Sequence, residues 1–324
     1  MSINEVRWLS ECGSTNAYAK EHFEEFGPVG AVYTTNQTAG RGRLGRSWVN
    51  AEGRALYYTA VIREPLAQPA TLPLLASLAV RDQLAQRYGV DCQIKWPNDL
   101  LLNGKKIVGI LCESVSYGYQ MQGRGIVCGI GINLAQPQSY FDAANLPNGT
   151  SLELQGAKVD LAADPQWLAE ALTDFGFDRP LYTFAREGFA PFRDEYKAAC
   201  VNLGRHVTFD LPGGGTGSGT AIDVDADGQL IVRTDSGEEK VFTGEVAVHG
   251  IYGAVLMFQH SSASAGRPAP GALFSSPCKV CGKPGFSHGF PHMVFAGQRL
   301  WKTRMSKIPE GRGAFAPSAK RRRK

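Results

Sequence analysis

The sequence predicts an α+β chain. Residues 1–203 should form a mixed, largely antiparallel sheet with helices, and residues 204–253 a small β-barrel. A linker follows over 254–277 and a basic tail over 278–324. Three observations carry this. Strand-like runs in the first part follow one another in hairpin order with helical stretches between them, unlike the strict alternation of a doubly wound sheet. After Gly204 the texture changes to short strands separated by Gly, Asp and Ser turns. Beyond residue 253 the composition becomes Pro/Gly/Ser-rich and then basic.

In chain order, Ser14, Thr15 and Asn16 form an N-cap cluster ahead of AYAKEHFEEF, which predicts a short helix. AVYTTNQ (31–37) reads as a strand, GRGRLGRSW (40–48) as a loop, and ALYYTAVI (55–62) as the strand that leaves it. Between Leu72 and Tyr88 the apolar residues Leu75, Leu78, Ala79 and Leu84 fall at helical spacing. QIKW (93–96) is the next strand. LLLNGKKIVGIL then places Asn103-Gly104 between two apolar arms, the strongest short hairpin signal. GIVCGIGINL (125–134) is a strand broken by glycines, and a helical stretch from Pro165 to about Cys200 closes the unit. RHVTFDL, GTAIDVD, QLIVRTD, KVFTG and VAVHGIY are five short strands that fit an SH3-like barrel.

Composition excludes several classes. No apolar run reaches the roughly 18 residues of a membrane span, and MSINEVRWLS lacks a basic-then-apolar leader pattern, so the expectation is a cytoplasmic protein without a membrane partner. Of seven cysteines, Cys12, Cys92, Cys112, Cys128 and Cys200 are scattered through apolar segments and read as reduced core thiols. Residues 254–324 carry 13 Lys and Arg against one acid, a net +12, whereas residues 1–253 carry a net −8. An acidic body is a poor sequence-independent binder of nucleic acid, so such a role would belong to the tail and its KRRRK end.

The run GRGRLGRSW suggests an anion clamp. Its glycines allow close backbone approach, and its arginines are planar, permanent charges. Composition does not name the anion, and a solvated basic loop or an RNA contact would look similar. Three further clusters stand with it: Ser14-Thr15-Asn16, KWPNDLLLNGKKIVGIL (95–111) and GIGIN (129–133). With Gln37, these supply hydroxyls, amides, cations and glycines.

As an ordered set these motifs resemble the biotin protein ligases over roughly residues 5–252, in the form lacking an N-terminal DNA-binding domain. That family activates biotin with ATP and transfers it to a lysine of a biotin carboxyl carrier protein. The resemblance implies a class II synthetase-like catalytic domain, with biotin and ATP as substrates, Mg²⁺ with the nucleotide, and a possible homodimer. Biotin carboxylate must meet the α-phosphate of ATP, and two charges about 4 Å apart at an effective dielectric of 20 repel by roughly 4 kcal/mol.

By resemblance Gly40, Arg41, Gly42 and Arg43 cover the carboxylate and then the adenylate, and Arg46 reaches the nucleotide. Lys106 bridges carboxylate and α-phosphate. Strand alternation does not separate Lys105 from Lys106, and only the register against GIL favours Lys106. Ser14, Thr15, Asn16 and Gln37 suit the ureido ring, although the first two are equally N-cap residues. Gly129 and Gly131 are expected as flat walls against the ring, Asn133 as an ATP-side ligand, and Trp48 as a packing anchor for the loop. Asn98 and Asp99 fall near the phosphates, with Asp99 a candidate to accept the proton of the acceptor amine or to position the nucleotide.

Two rival functions are lipoate or octanoate transfer on a related scaffold and a biotin-responsive regulator acting through the basic tail. The tail itself departs from the family pattern. Cys278 and Cys281, with His288 and His292, make a Cys2His2 set suited to tetrahedral Zn²⁺, with a six-residue gap shorter than in common fingers.

Overall fold

The computed structural model describes residues 5–211, 214–242 and 246–248. The first part runs β1 (Glu5–Trp8), α1 (Thr15–Glu21), β2 (Val29–Thr34), β3 (Gly40–Arg41), β4 (Ser47–Trp48), β5 (Ala55–Ile62), α2 (Leu72–Tyr88), β6 (Gln93–Lys95), β7 (Asp99–Leu102), β8 (Lys105–Tyr117) and β9 (Gly123–Asn133). Seven of these strands make one sheet in the order β1-β2-β5-β9-β8-β7-β6. Its β1–β2 pair is parallel and the others are antiparallel. This is the mixed, largely antiparallel sheet expected from hairpin order.

Local chemistry explains the elements. Ser14 caps α1 by accepting the Ala17 N–H. Pro73 near the start of α2 and the left-handed Gly89 at its end bound the helix at Leu72 and Tyr88, as the spacing predicts. Asn103 and Gly104 both have positive φ (50° and 76°), as a tight hairpin turn between β7 and β8 requires. The central strand β5 is buried along its whole length, so both faces of the sheet are covered. Leu56, Tyr58 and Ile62 join Ile130, Ile132 and α2 in the main core, while Val61 and Val127 pack with Phe23 and Phe26 on the other face. Each fully buried Leu, Val or Phe contributes about 1.5–3 kcal/mol over its exposed state.

The single helical stretch expected after residue 165 resolves into α4 (Asp164–Ala171), α5 (Arg179–Glu187) and α6 (Arg193–Ala199), preceded by α3 (Gln138–Ala143). A π-helical segment, Leu172–Asp178, joins α4 to α5. There Thr173 meets the buried Tyr58 hydroxyl at 2.9 Å, a tertiary contact that no local signal announces. The C-terminal strands β10 (His206–Asp210), β11 (Thr216–Val224), β12 (Leu230–Thr234), β13 (Gly237–Val241) and β14 (Val246–Val248) pair in the order β13-β12-β11-β10-β14. The five strands are those expected. Among the described residues, however, β13 and β14 remain the two edges of an open sheet and do not pair to close a barrel.

Both sheets belong to one unit, Met1–Phe258. Asp223 of β11 ties them by ion pairs to Arg193 (2.5 Å) and Lys197 (2.6 Å) of α6. The linker, the tail, the Cys278–Cys281–His288–His292 set and KRRRK lie outside the described residues. Of the other cysteines, Cys92, Cys128 and Cys200 are buried, Cys12 and Cys112 are half-buried, and all five are free thiols. Burial pushes the Cys200 thiol up to about 11 and the Cys92 thiol up to about 12.

Candidate functional site

One cavity of about 560 Å³ gathers the four motif clusters, a volume suited to a small organic ligand. Its floor is the sheet face where Gly109 of β8 pairs with Gly131 of β9 and Leu111 with Gly129, so three of these four positions carry no side chain. The space over Gly109 and Gly131 is filled by the Trp48 indole, since a Cβ at either would lie within 2.7 Å of its ring. A Cβ on Gly129 would come within 2.2 Å of Asn16 Oδ1. Gly129 and Gly131, expected as walls against a ligand, line the cavity, and with Gly109 they make room for two protein side chains that line it too.

GRGRLGRSW folds into a small hairpin. β3 pairs with β4 through Gly40–Trp48 and Arg41–Ser47, and Gly42 N–H donates to Arg46 O at 2.7 Å. Gly40 is obligatory there, because a Cβ would lie 2.4 Å from the Trp48 carbonyl oxygen. Arg41, Gly42, Arg43 and Arg46 all reach the cavity. Arg43 donates to Asn98 Oδ1 at 2.7 Å, and Asn98 Nδ2 donates to Ile110 O at 2.8 Å, so the amide ties the loop arginine to β8.

Lys106 is placed by a bulge. Leu100 faces Val108 but Leu101 faces Lys106, which leaves Ile107 as an extra residue in β8. That extra residue is why alternation could not choose between Lys105 and Lys106. The Lys106 backbone is held on both sides, donating to Asn148 O and accepting from Thr150 N–H. Its side chain crosses Gly109, lies 5.5 Å from the Trp48 ring centroid and pairs with Asp99 at 2.7 Å.

The other end of the cavity is neutral and sealed. Thr15, Asn16 and Gln37 are only 3%, 5% and 6% exposed. Gln37 Oε1 accepts from Thr15 N–H (2.9 Å) and the Thr15 hydroxyl (3.1 Å). Asn16 Nδ2 donates to Leu111 O and Glu113 Oε2, and Asn16 Oδ1 accepts from Thr59 at 2.7 Å. Asn133 lines the cavity with its amide engaged by Thr150 O and Gln136.

Three residues of this arrangement escaped the sequence reading. Thr59 sits inside an apolar strand run, and Glu113 at the end of another. Trp96 is buried, donates its backbone N–H to Asn202 Oδ1 (2.8 Å), and donates its indole N–H to Gly228 O at 3.0 Å in the β11–β12 turn. The C-terminal sheet thus braces the strand connection that carries Asn98 and Asp99, and β14 itself lines the cavity.

The profile of the Biotin/lipoate A/B protein ligase family matches residues 11–133, which hold Ser14, Thr15, Asn16, Gln37, the arginine hairpin, Asn98, Asp99 and Lys106. That of the Biotin protein ligase C terminal domain matches residues 203–248. The chain is 34% identical over 248 residues to the biotin–[acetyl-CoA-carboxylase] ligase of Paracoccus denitrificans, spanning 75% of this chain and 100% of that one. It is 32% identical over 237 residues to the bifunctional ligase/repressor BirA of Bacillus subtilis, spanning 72% of this chain and 70% of that one. The biotin protein ligase from Aquifex aeolicus solved in complex with biotin and ATP is similar with a TM-score of 0.61 and 26% identity, over 75% of this chain and 98% of that one. The chain belongs to the biotin protein ligase family.

Proposed function

We propose that this chain joins biotin to ATP as biotinyl-5′-AMP, releasing pyrophosphate, and then passes the biotinyl group to a lysine of a biotin carboxyl carrier protein. The observation that carries this reading is the polarity of the cavity. One end is a sealed array of neutral hydrogen-bonding groups, and the other is lined by Arg41, Arg43, Arg46 and Lys106. Biotin has that same polarity, with a neutral ureido ring at one end and a carboxylate at the other.

The residues divide the work. Ser14, Thr15, Asn16 and Gln37 form the ureido end, where buried dipoles must be matched or left unsatisfied at a cost of about 1–3 kcal/mol each. Arg41 and Arg43, on a hairpin whose close strand approach Gly40 allows, neutralise the carboxylate and the α-phosphate. As the carboxylate oxygen bonds to phosphorus and the pyrophosphate oxygen departs, negative charge builds where Lys106 can donate to it. Arg46, Asn98 and Asn133 face the nucleotide side.

In the second step the acceptor amine bonds to the acyl carbon, AMP departs with the bonding electron pair, and the amine sheds a proton. An unperturbed lysine needs about 4.6 kcal/mol to deprotonate at pH 7, from its pKa near 10.4. Asp99 accepts that proton or positions the nucleotide, and unchanged half-reactions in Asp99→Asn would remove both roles. Mg²⁺ arrives with the nucleotide. Among the described residues no group of three His, Cys, Asp or Glu could hold a metal, and the one lining carboxylate, Asp99, is engaged by Lys106. Among the described residues no helix is long and apolar enough to cross a membrane. The free core thiols support a cytoplasmic site of action.

The test is exchange of labelled pyrophosphate into ATP, with biotin, lipoate and octanoate supplied separately. Exchange with biotin alone is expected. Exchange driven equally by lipoate or octanoate would move the chain to that substrate class.

A further inference from the structure

Among the described residues Lys95 of β6 is a fifth cation lining the cavity, beside Arg41, Arg43, Arg46 and Lys106, and neither end of biotin requires it. Strand register fixes which way it faces. Tyr57 pairs with Gly131, Gly131 with Gly109, Gly109 with Asp99 and Asp99 with Lys95, each pair antiparallel and directly opposite. Such neighbours share one face of the sheet, and all five residues line the cavity. Lys95 therefore closes a row that begins at Tyr57 and runs beneath the Trp48 indole and past Asp99.

The row also gives a distance and a direction. Lys106 crosses Gly109, and β6 lies two strands beyond β8 in the sheet order. At the usual strand spacing the Lys95 backbone is about 10 Å from that crossing, within reach of a long side chain from each end. The wall assigned to the nucleoside stands on the other flank of Lys106: Asn133 of β9 donates to Thr150 O, and the Lys106 backbone bonds to Asn148 and Thr150. A nucleotide that leaves this wall and places its α-phosphate at Lys106 continues toward β6. Lys95 is held firmly for such a role. Ile94 O accepts from Val201 N–H at 2.9 Å, and Trp96 N–H donates to Asn202 at 2.8 Å, so both neighbours are pinned.

We propose that Lys95 binds the β- and γ-phosphates of ATP and the pyrophosphate that leaves. The proposal rests on the adenylation reading. In that step the carboxylate oxygen of biotin bonds to the α-phosphorus, the bond from this phosphorus to the bridging oxygen breaks, and its electron pair departs on pyrophosphate. Lys106 serves the atom under attack, and Lys95 serves the group that gains the charge.

The test is pyrophosphate exchange with pyrophosphate, ATP and biotin varied separately, alongside direct titration with biotinyl-5′-AMP, which lacks both outer phosphates. Lys95→Met keeps the apolar stem and removes the charge. Its KM values for pyrophosphate and ATP should rise roughly tenfold, as for loss of a charged hydrogen bond. The KM for biotin and the affinity for biotinyl-5′-AMP should stay within about twofold of wild type. Lys95→Arg, which keeps the charge, should recover most of the pyrophosphate affinity. An unchanged pyrophosphate KM in Lys95→Met would overturn the proposal. So would a loss of biotinyl-5′-AMP affinity as large as the loss for ATP, since that describes a loosened site. Should Lys95→Met fail to fold, Lys95→Gln is judged by the same two criteria. Wild-type exchange is the separate control on the reading beneath. If it proceeds with lipoate or octanoate and not with biotin, the biotin assignment fails, and Lys95→Met must still raise the pyrophosphate KM in that reaction.

Discussion

The two ends of the cavity are built on opposite plans. At the neutral end, Thr15, Asn16 and Gln37 are nearly sealed and their amides are locked by short hydrogen bonds to buried partners. At the charged end the Lys106 side chain is 32% exposed, and the arginines ride on a hairpin of two-residue strands. Recognition of a neutral ring depends on dipoles whose direction must be set beforehand, because a misdirected donor costs about as much as a missing one. Attraction to a carboxylate or phosphate falls off slowly with distance and tolerates movement. The stiff end is therefore suited to choosing the ligand and the looser end to following charge as it moves from carboxylate to phosphate.

Lys106→Ala should separate the ends most sharply. It removes a donor aimed at developing charge, so single-turnover adenylation should fall roughly 10²–10³-fold. The melting temperature should hardly change, since the side chain is partly exposed and its backbone anchors remain. Arg43→Ala should come next, with roughly tenfold weaker use of the nucleotide from loss of a charged hydrogen-bonding group. The adenylate should also escape onto bystander lysines, read as biotin incorporated into a non-cognate protein; unchanged selectivity would count against a clamp.

Trp96→Phe tests the brace from the C-terminal sheet. It leaves the Gly228 carbonyl unpaired, which should lower stability by about 1 kcal/mol and slow adenylation only a few-fold. The smallest effect concerns pH. Because the folded Glu113 carboxyl is held below its unfolded value by Lys20, Asn16 and the nearby Arg41, its contribution is present at neutral pH and disappears as the pH falls below the ordinary carboxylate range. Stability curves of the wild type and Glu113→Gln should therefore converge in acid, and a constant gap down to low pH would contradict that origin.

What could be read from sequence follows the range of the interactions. The helix over residues 72–88 and the Asn103-Gly104 turn declare themselves within a few residues, and the structure places both where they were expected. Lys105 and Lys106 could not be told apart because the bulge at Ile107 breaks the strand period between the lysine and the GIL run. Thr59 in ALYYTAVI looks like one more core-strand residue until Thr15 and Asn16 arrive from 44 and 43 positions away. Asn16 and Glu113 are 97 positions apart, and Trp96 and Gly228 are 132 apart. The cationic motifs are local and dense in unusual residues, so they were legible; the neutral end is assembled from ordinary residues by the fold. The π-helical link likewise depends on tertiary packing, through the contact of Thr173 with Tyr58.

The most direct test of this division is pyrophosphate exchange at increasing biotin, measured side by side for Gln37→Ala and Lys106→Ala. Exchange by the glutamine variant should climb toward the wild-type rate as biotin saturates, while the lysine variant stays low at every concentration. Equal rescue of both variants by biotin, or rescue of neither, would contradict the separation of ligand choice from charge stabilisation.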